Sequence, residues 1–318
     1  MKAAIVLLAG LSMTTASSHI FAPGVISSRQ NDFAPAFSQD MSWLFFTRGD
    51  NGLSSIFFSR RKGRSWSTPA VAPFSGRWVD LEASLAPDDS YMVFASNRPA
   101  SDRGAPLQAL YFGKTQVGGN LWRVDRAASG WGKPYRLSSA INIGNSVWTP
   151  SIARNGDLYF MATDAKAGRF RLHVAAQGKE IATRNLAFST GAANDVDPYI
   201  APDESFLIFS SDRGAPGRNG LPGRERLYIA FRPMTSAPLV CRLDIPGFED
   251  ISLSEIEARL SPDRKNLYFA SRRAAHEQGQ PVAGPWDNGK GNIWSVPFRP
   301  SLWNGGAAQP AACAPQTI

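Results

Sequence analysis

Five times along the chain, a short stretch of alternating residues turns at a polar cluster and resumes as a run that is apolar on both faces. The copies are "APAFSQDMSWLFFTR" from Ala34, "EASLAPDDSYMVFASNR" from Glu82, "TPSIARNGDLYFMATD" from Thr149, "DPYIAPDESFLIFSSDR" from Asp197 and "EARLSPDRKNLYFASRR" from Glu257. Each predicts strand, turn, strand. In the fourth copy Tyr199 and Ile200 close the first strand, Pro202-Asp203 makes the turn and Phe206 to Phe209 form a buried second strand. A third strand follows each copy ("SIFFSR", "ALYFGK", "FRLHVA", "RLYIAF", "NIWSVP"), and a weaker fourth segment comes after it. The aligned apolar residues are Phe37, Leu85, Ile152, Ile200 and Leu260, spaced by 48, 67, 48 and 60 residues. Self-similarity at that period predicts an all-β array of four-stranded propeller blades.

The stretches "LSPDRKNLYFASRR", "IAPDESFLIFSSDR" and "LAPDDSYMVFASNR" resemble the Pro-Asp type of WD-like propeller repeat, as found in the TolB propeller and in many exported bacterial proteins. The resemblance covers nearly the whole chain after its N-terminal leader and implies a single β-propeller. Five first strands imply five blades. The last repeat lacks its own fourth strand, and "IFAPGVISS" (Ile20 to Ser28) supplies one directly before the first copy. The expected architecture is therefore five four-stranded blades over residues 19–300, closed by the N-terminal strand, with a tail at 301–318. Six blades, as in TolB, is the alternative.

The first residues change the picture of where the protein works. Met1-Lys2, the apolar "AAIVLLAGL" and the small residues that follow read as a signal peptide over residues 1–18, with cleavage expected near Ala16 to Ser18. The expected location is periplasmic or secreted, with no transmembrane segment. In that compartment the two cysteines, Cys241 and Cys313, form a disulfide or remain as two unpaired thiols, and two are too few for a cysteine-rich metal site. The net charge of +8 is scattered, and no nucleic-acid motif accompanies it.

Candidate chemistry lies where each chain repeat enters its innermost strand. Five positions before the aligned apolar residue stand Asp32, Asp80, Val147, Asp195 and Glu255; three positions before it stand Ala34, Glu82, Thr149, Asp197 and Glu257. Positions two apart on a regular strand share a face, so both columns are expected at one mouth of the channel. The second strands end there in Arg98, Arg213 and Arg273, which predicts structural salt bridges Glu82–Arg98, Asp197–Arg213 and Glu257–Arg273. Asp80, Asp195 and Glu255 are then left as candidates for ligand contact, with Trp148, Tyr199 and Trp286 as aromatic neighbours suited to sugars or cations. Long loops between second and third strands lie on the same face. The turn residues Asp88, Asp203 and Asp263 belong to the opposite face and read as structural.

The chain has no nucleophile elbow, phosphate-binding loop or dinucleotide fingerprint, and its three histidines form no metal pair, so no cofactor or metal is expected. Two functions remain. The favoured one is a monomeric binding or scaffold module for a protein or glycan partner in the cell envelope, working through its loop-rich channel face. The alternative is a carbohydrate-active enzyme, a glycoside hydrolase or lyase, using channel carboxylates as acid and base. Acids that recur with the repeat favour the first, because a catalytic set would break the repeat.

Overall fold

The computed structural model describes residues 17–299, apart from 51, 102, 112–113, 145, 165–167, 178–181, 215–222, 232, 237, 249–252, 274–275, 278–279 and 282–288, together with 313–315. Five antiparallel sheets form the blades. Their innermost strands are Asn31–Phe37, Asp80–Leu85, Val147–Ile152, Asp195–Ile200 and Ile256–Leu260. Each of these touches the innermost strand of the next blade, and the last touches the first, so the ring is closed. The second strands are Trp43–Asp50, Tyr91–Ser96, Leu158–Asp164, Phe206–Ser211 and Asn266–Ser271. The third strands are Leu53–Lys62, Asn120–Ala127, Arg169–Ala176, Arg226–Phe231 and Asn292–Pro297.

The apolar run of each second strand earns its place in the core. Phe46, Phe94, Phe160, Phe209 and Phe269 occupy equivalent positions, one per blade, and none has any exposed surface. A fully buried phenylalanine contributes about 1.5–3 kcal/mol each, so the five are a large part of what holds the sheets together. Outside them the weaker fourth segments are short strands, such as Ala70–Val71 and Ala182–Asn185.

Closure comes from the N-terminus. His19 and Ile20 pair antiparallel with Ser295 and Trp294 as the outer strand of the fifth blade. The Phe21 N–H continues the pairing to the Ile293 carbonyl at 2.8 Å. The expected strand over Ile20 to Ser28 is thus shorter than its sequence suggested. Residues 22–26 turn, and Ser27 returns to bond Ile293. The seam between the chain's two ends is sealed, which removes the exposed strand edge an open ring would carry.

Two further features lie outside the repeat. The segment between the second and third strands of the second blade folds into a hairpin, Gln108–Tyr111 with Lys114–Val117. Near the C-terminus, Cys313–Pro315 adds a fifth strand to the fourth blade beside Leu239–Arg242, with Cys313 opposite Cys241 in register. Cys241 is disulfide-bonded, and Cys313 is the chain's only other cysteine.

Candidate functional site: the central channel

The innermost strands are not regular. In every blade the register slips between the fourth-previous and the immediately previous residue, as between Leu81 and Ser84 or Val196 and Tyr199. At each slip the third-previous residue has a left-handed backbone: φ is 49° at Ala34, 57° at Glu82, 43° at Thr149, 54° at Asp197 and 55° at Glu257. None of these is glycine, so each costs about 1 kcal/mol. A conformation repeated five times around a ring is over-determined by its surroundings.

The bulge separates the two acidic columns that a regular strand would have put on one face. The fifth-previous acids point into the blade and meet the arginines. Arg98 Nη2 donates to Asp80 at 3.0 Å, Arg213 Nη2 to Asp195 at 2.7 Å and Arg48 Nε to Asp32 at 2.6 Å. Glu255 pairs with Arg226 from the third strand. The pairs Glu82–Arg98 and Asp197–Arg213 expected from the sequence are therefore replaced by Asp80–Arg98 and Asp195–Arg213. Glu257 likewise takes no salt bridge among the described residues, and Arg273 stacks over Phe248, 4.5 Å from its ring centre. A serine just before the strand completes each aspartate site: Ser28 Oγ, Ser75 Oγ and Ser189 Oγ donate to Asp32, Asp80 and Asp195 at 2.7, 2.8 and 2.8 Å. These acids are buried and fully engaged. Desolvation raises Asp32 to about 6 and Glu255 to about 7, against the pull of their arginines.

The third-previous acids line the channel instead. Glu82 Oε2 accepts the Thr149 N–H at 2.7 Å and lies 2.8 Å from Thr149 Oγ1. Thr149 Oγ1 also donates to Asp197 at 3.1 Å. The backbone N–H of Glu257 stabilises Asp197, and that of Ala34 stabilises Glu257. In the first blade, which has Ala34 in this column, Thr47 Oγ1 takes over and accepts the Glu82 N–H at 2.9 Å. The acids thus bond the strained backbone of the neighbouring blade, and the bonds run around the ring.

One hydroxyl proton cannot serve two ionised carboxylates. Thr149 lies between two, so the cluster is satisfied when one carries a proton. Consistently, desolvation and then the nearby Asp197 push Glu82 up to about 8, while desolvation raises Asp197 to about 6. Glu257 is raised as well, by desolvation and by Asp197 and Glu82. Arg259, also buried, supplies the positive charge of the cluster.

The two mouths of the channel differ. On the loop face the inserted hairpin brings Tyr111 over the acids, where desolvation and then Asp197 raise its hydroxyl pKa well above the usual value. Tyr111 packs edge-on against Trp148, with ring centres 5.6 Å apart. Gly118 of the same segment lies against the indole so closely that an added Cβ would sit 2.5 Å from it. On the turn face a cavity of about 130 Å³ opens, lined from all five blades by residues including Ala36, Ser84, Ser151, Tyr199 and Arg259. These five are the residues immediately before the aligned apolar position. Three arginines (Arg154, Arg259, Arg264) and one acid (Asp89) are its charged lining.

The expected ligand contacts are therefore distributed unevenly. Asp80, Asp195 and Glu255 sit in salt bridges, Trp148 is buried beneath the hairpin, and Tyr199 faces the opposite mouth. Trp286 lies outside the described residues. Asp88, Asp203 and Asp263 cap their own turns through Ser90, Ser205 and Ser261. Sequence reasoning missed Arg259, Thr149 and Tyr111. The one available signal was Arg259 standing in a column otherwise occupied by Ala, Ser, Ser and Tyr.

Closed ring, bulged inner strands and axial channel define a five-bladed β-propeller. It is similar to a putative TolB from Agrobacterium tumefaciens, 14% identical, over 90% of this chain and 99% of that one, with a TM-score of 0.49. TolB from Acinetobacter baumannii is 12% identical over 85% of this chain and 55% of its own, with a TM-score of 0.47. An α-L-arabinofuranosidase from Lactobacillus brevis is 10% identical over 88% and 94%, with a TM-score of 0.50. At such identities the likeness concerns the fold alone. No protein-family model and no curated protein matches the chain.

Proposed function

We propose that the chain is an exported binding propeller that receives a protein or glycan partner of the cell envelope at the turn-face mouth of its channel, in place of the loop-rich face expected from the sequence. The observation that carries this reading is the contrast between the two mouths. The channel acids are at most 5% exposed and bond the backbones of neighbouring blades, whereas the turn face opens into a cavity to which every blade contributes. A general acid or base must reach its substrate, and acids committed in this way serve the ring. No described helix is long and apolar enough to cross a membrane.

The test is a glycan and peptide array probed with the chain and with Ser84→Phe, which fills the cavity from the second blade. The bound ligand should be lost in Ser84→Phe while the circular dichroism spectrum and melt are kept. Equal capture by both would move the site elsewhere. One observation favours the enzymatic reading: Glu82 and Asp197 share one hydroxyl but hold their protons with different strength, as paired acids do in glycosidases. Turnover of an oligosaccharide that Glu82→Gln abolishes, with binding intact, would replace the binding reading with that one.

A further inference from the structure

Between the first and second blades lies a groove of about 230 Å³. Its walls are Phe45 of the first blade and Leu85 and Trp131 of the second, with Trp43 and Phe58 extending the first blade's side. The groove is open to solvent. Trp43, Phe58, Leu85 and Trp131 are half-buried, and Pro73, Arg126 and Gly130 of its lining are exposed.

The ring repeats this groove, and in one place it is full. Between the fifth and first blades the equivalent residues are Tyr268, Phe37 and Trp66. Tyr268 and Phe45 each precede the core phenylalanine of a second strand, and Phe37 and Leu85 are aligned apolar residues. Trp66 and Trp131 stand opposite Arg61 and Arg126 in the same short hairpin. The Phe21 ring packs edge-on against all three, with ring centres 4.9 Å from Tyr268, 6.0 Å from Trp66 and 6.1 Å from Phe37. Phe21 is the residue whose N–H bonds the third strand just beyond the outer strand, at Ile293. Leu137, Leu186 and Leu243 make the same bond in the second, third and fourth blades, to Leu121, Leu172 and Leu227. In the first blade Ala72 makes it, to Ile56. The first blade therefore brings a methyl group where the others bring a phenyl ring or a leucine, and a groove walled like the filled one stands open beside it.

The walls narrow down what fits. A cavity of about 150 Å³ holds a benzene ring, so the volume suffices for one aromatic side chain. A sugar would strand its hydroxyls. The polar side chains of the described lining are Ser38 and Arg126, and Ser38 Oγ already donates to Asp40 at 2.6 Å and accepts the Trp43 N–H at 2.9 Å. A cationic guest is disfavoured as well. Arg126 is the charged residue of the described lining, and the Arg60 guanidinium already lies over Trp43, 4.6 Å from its ring centre. The acids beside the groove are committed: Asp40 also accepts the Ser42 N–H at 2.9 Å, and Asp89 accepts the Gln39 N–H at 3.1 Å. We infer that this groove is a docking site for one aromatic side chain of a polypeptide partner, carried next to an acidic residue that meets Arg126. The site is separate from the channel mouth, and Leu85, which lines both, puts the two side by side.

Indole N–H resonances of Trp43 and Trp131 in the intact folded chain test the site, each assigned by its loss in Trp43→Phe or Trp131→Phe. Titration with acetyl-Asp-Phe-Ala-amide should move both saturably. Acetyl-Asp-Ala-Ala-amide and methyl glucoside should move neither. Acetyl-Lys-Phe-Ala-amide should bind about threefold more weakly at low salt, the range of an exposed charge. Ala72→Phe writes the fifth blade's residue into the first and should abolish the titration. Phe58→Ser copies Ser295, its equivalent in the fifth blade, and removes one aromatic wall. It should weaken binding about threefold or more, and it decides the question if Ala72→Phe does not fold. Silent indoles, equal shifts from the alanine peptide or the glucoside, or a lysine peptide bound as tightly as the aspartate one would each overturn the assignment. So would a titration left unchanged by Phe58→Ser. Ser84→Phe, which fills the channel mouth, should leave the titration intact; its loss in that folded variant would place the ring in the mouth instead. If the array ligand is lost in Ser84→Phe while the indoles stay silent, the groove falls and the receiving mouth stands.

Discussion

Glu82→Gln removes an ionisable group from the channel but keeps its shape and leaves an amide oxygen to accept the Thr149 N–H. In the folded chain Glu82 holds its proton up to about pH 8, against 4.5 for an ordinary glutamate. Between those values the native state retains a proton that the unfolded chain has released, so unfolding releases that proton and is favoured as pH rises. Below the ordinary value both states are protonated and Glu82 contributes nothing. Above about 8 both are ionised and the full burial cost is felt. At about 1.4 kcal/mol per pH unit, the window amounts to about 5 kcal/mol of stability lost by the native chain and not by Glu82→Gln. Urea unfolding of both proteins at half-unit steps from pH 4.5 to 8.5 measures the difference. The two curves should meet at the acid end and diverge steadily, with the variant more stable at pH 8. Parallel curves across the window would refute the proton-sharing account of the Glu82–Thr149–Asp197 cluster.

Three other outcomes follow from the contacts described. Asp80→Asn strips the buried Arg98 of its counter-charge and should cost about 3–5 kcal/mol in chemical denaturation; a loss below 1 kcal/mol would show the pair to be idle. Deleting residues 17–27 removes buried Ile20 and Ile26, worth about 1.5–3 kcal/mol each, and should lower the urea midpoint of the whole ring in a single transition. A separate early transition confined to the fifth blade would contradict that. Cys241→Ser opens a covalent loop and should lower stability by up to about 4 kcal/mol; the variant's melt should then be indifferent to reductant, while that of the native chain is not.

The sequence carried the fold well because the repeat is written in its core. One phenylalanine per second strand, one Pro-Asp or equivalent turn and one aligned apolar residue per first strand are the pieces that pack, and they recur visibly. The channel was harder to read. Assigning Glu82 to Arg98 followed the recurrence of acid and arginine in the same three blades, on strands where residues two apart were taken to share a face, and the bulge breaks that rule at all five inner strands. Nothing local marks a bulge whose left-handed residue is Ala, Glu, Thr, Asp or Glu, since glycine would be the usual sign. The bulge is stabilised by bonds from the neighbouring blade, 35 residues away or more in the chain, as from Thr47 to Glu82, from Glu82 to Thr149 or from Asp197 to Glu257. Tyr111 was hidden for the same reason: a hairpin inserted between two strands of one blade acts on the channel that all five build.

The clasp made by His19 and Ile20 on Trp294 and Ser295 also governs how the molecule can assemble. Synthesis from the N-terminal side produces this strand before any blade and its partner only within the fifth, so the strand must wait unpaired while four blades form an open arc. The loop to be closed is nearly the whole chain, although its entropic cost grows only logarithmically with length. During the wait, the first strand of one molecule fits the vacant place in another as well as its own. Refolding yield should therefore fall as protein concentration rises, with dimers joined by exchanged N-termini as the by-product. A circular permutant that joins residue 318 to residue 19 through a linker, so that Cys313 is kept, and opens the chain between two blades would make this strand together with its partner and should abolish the exchange.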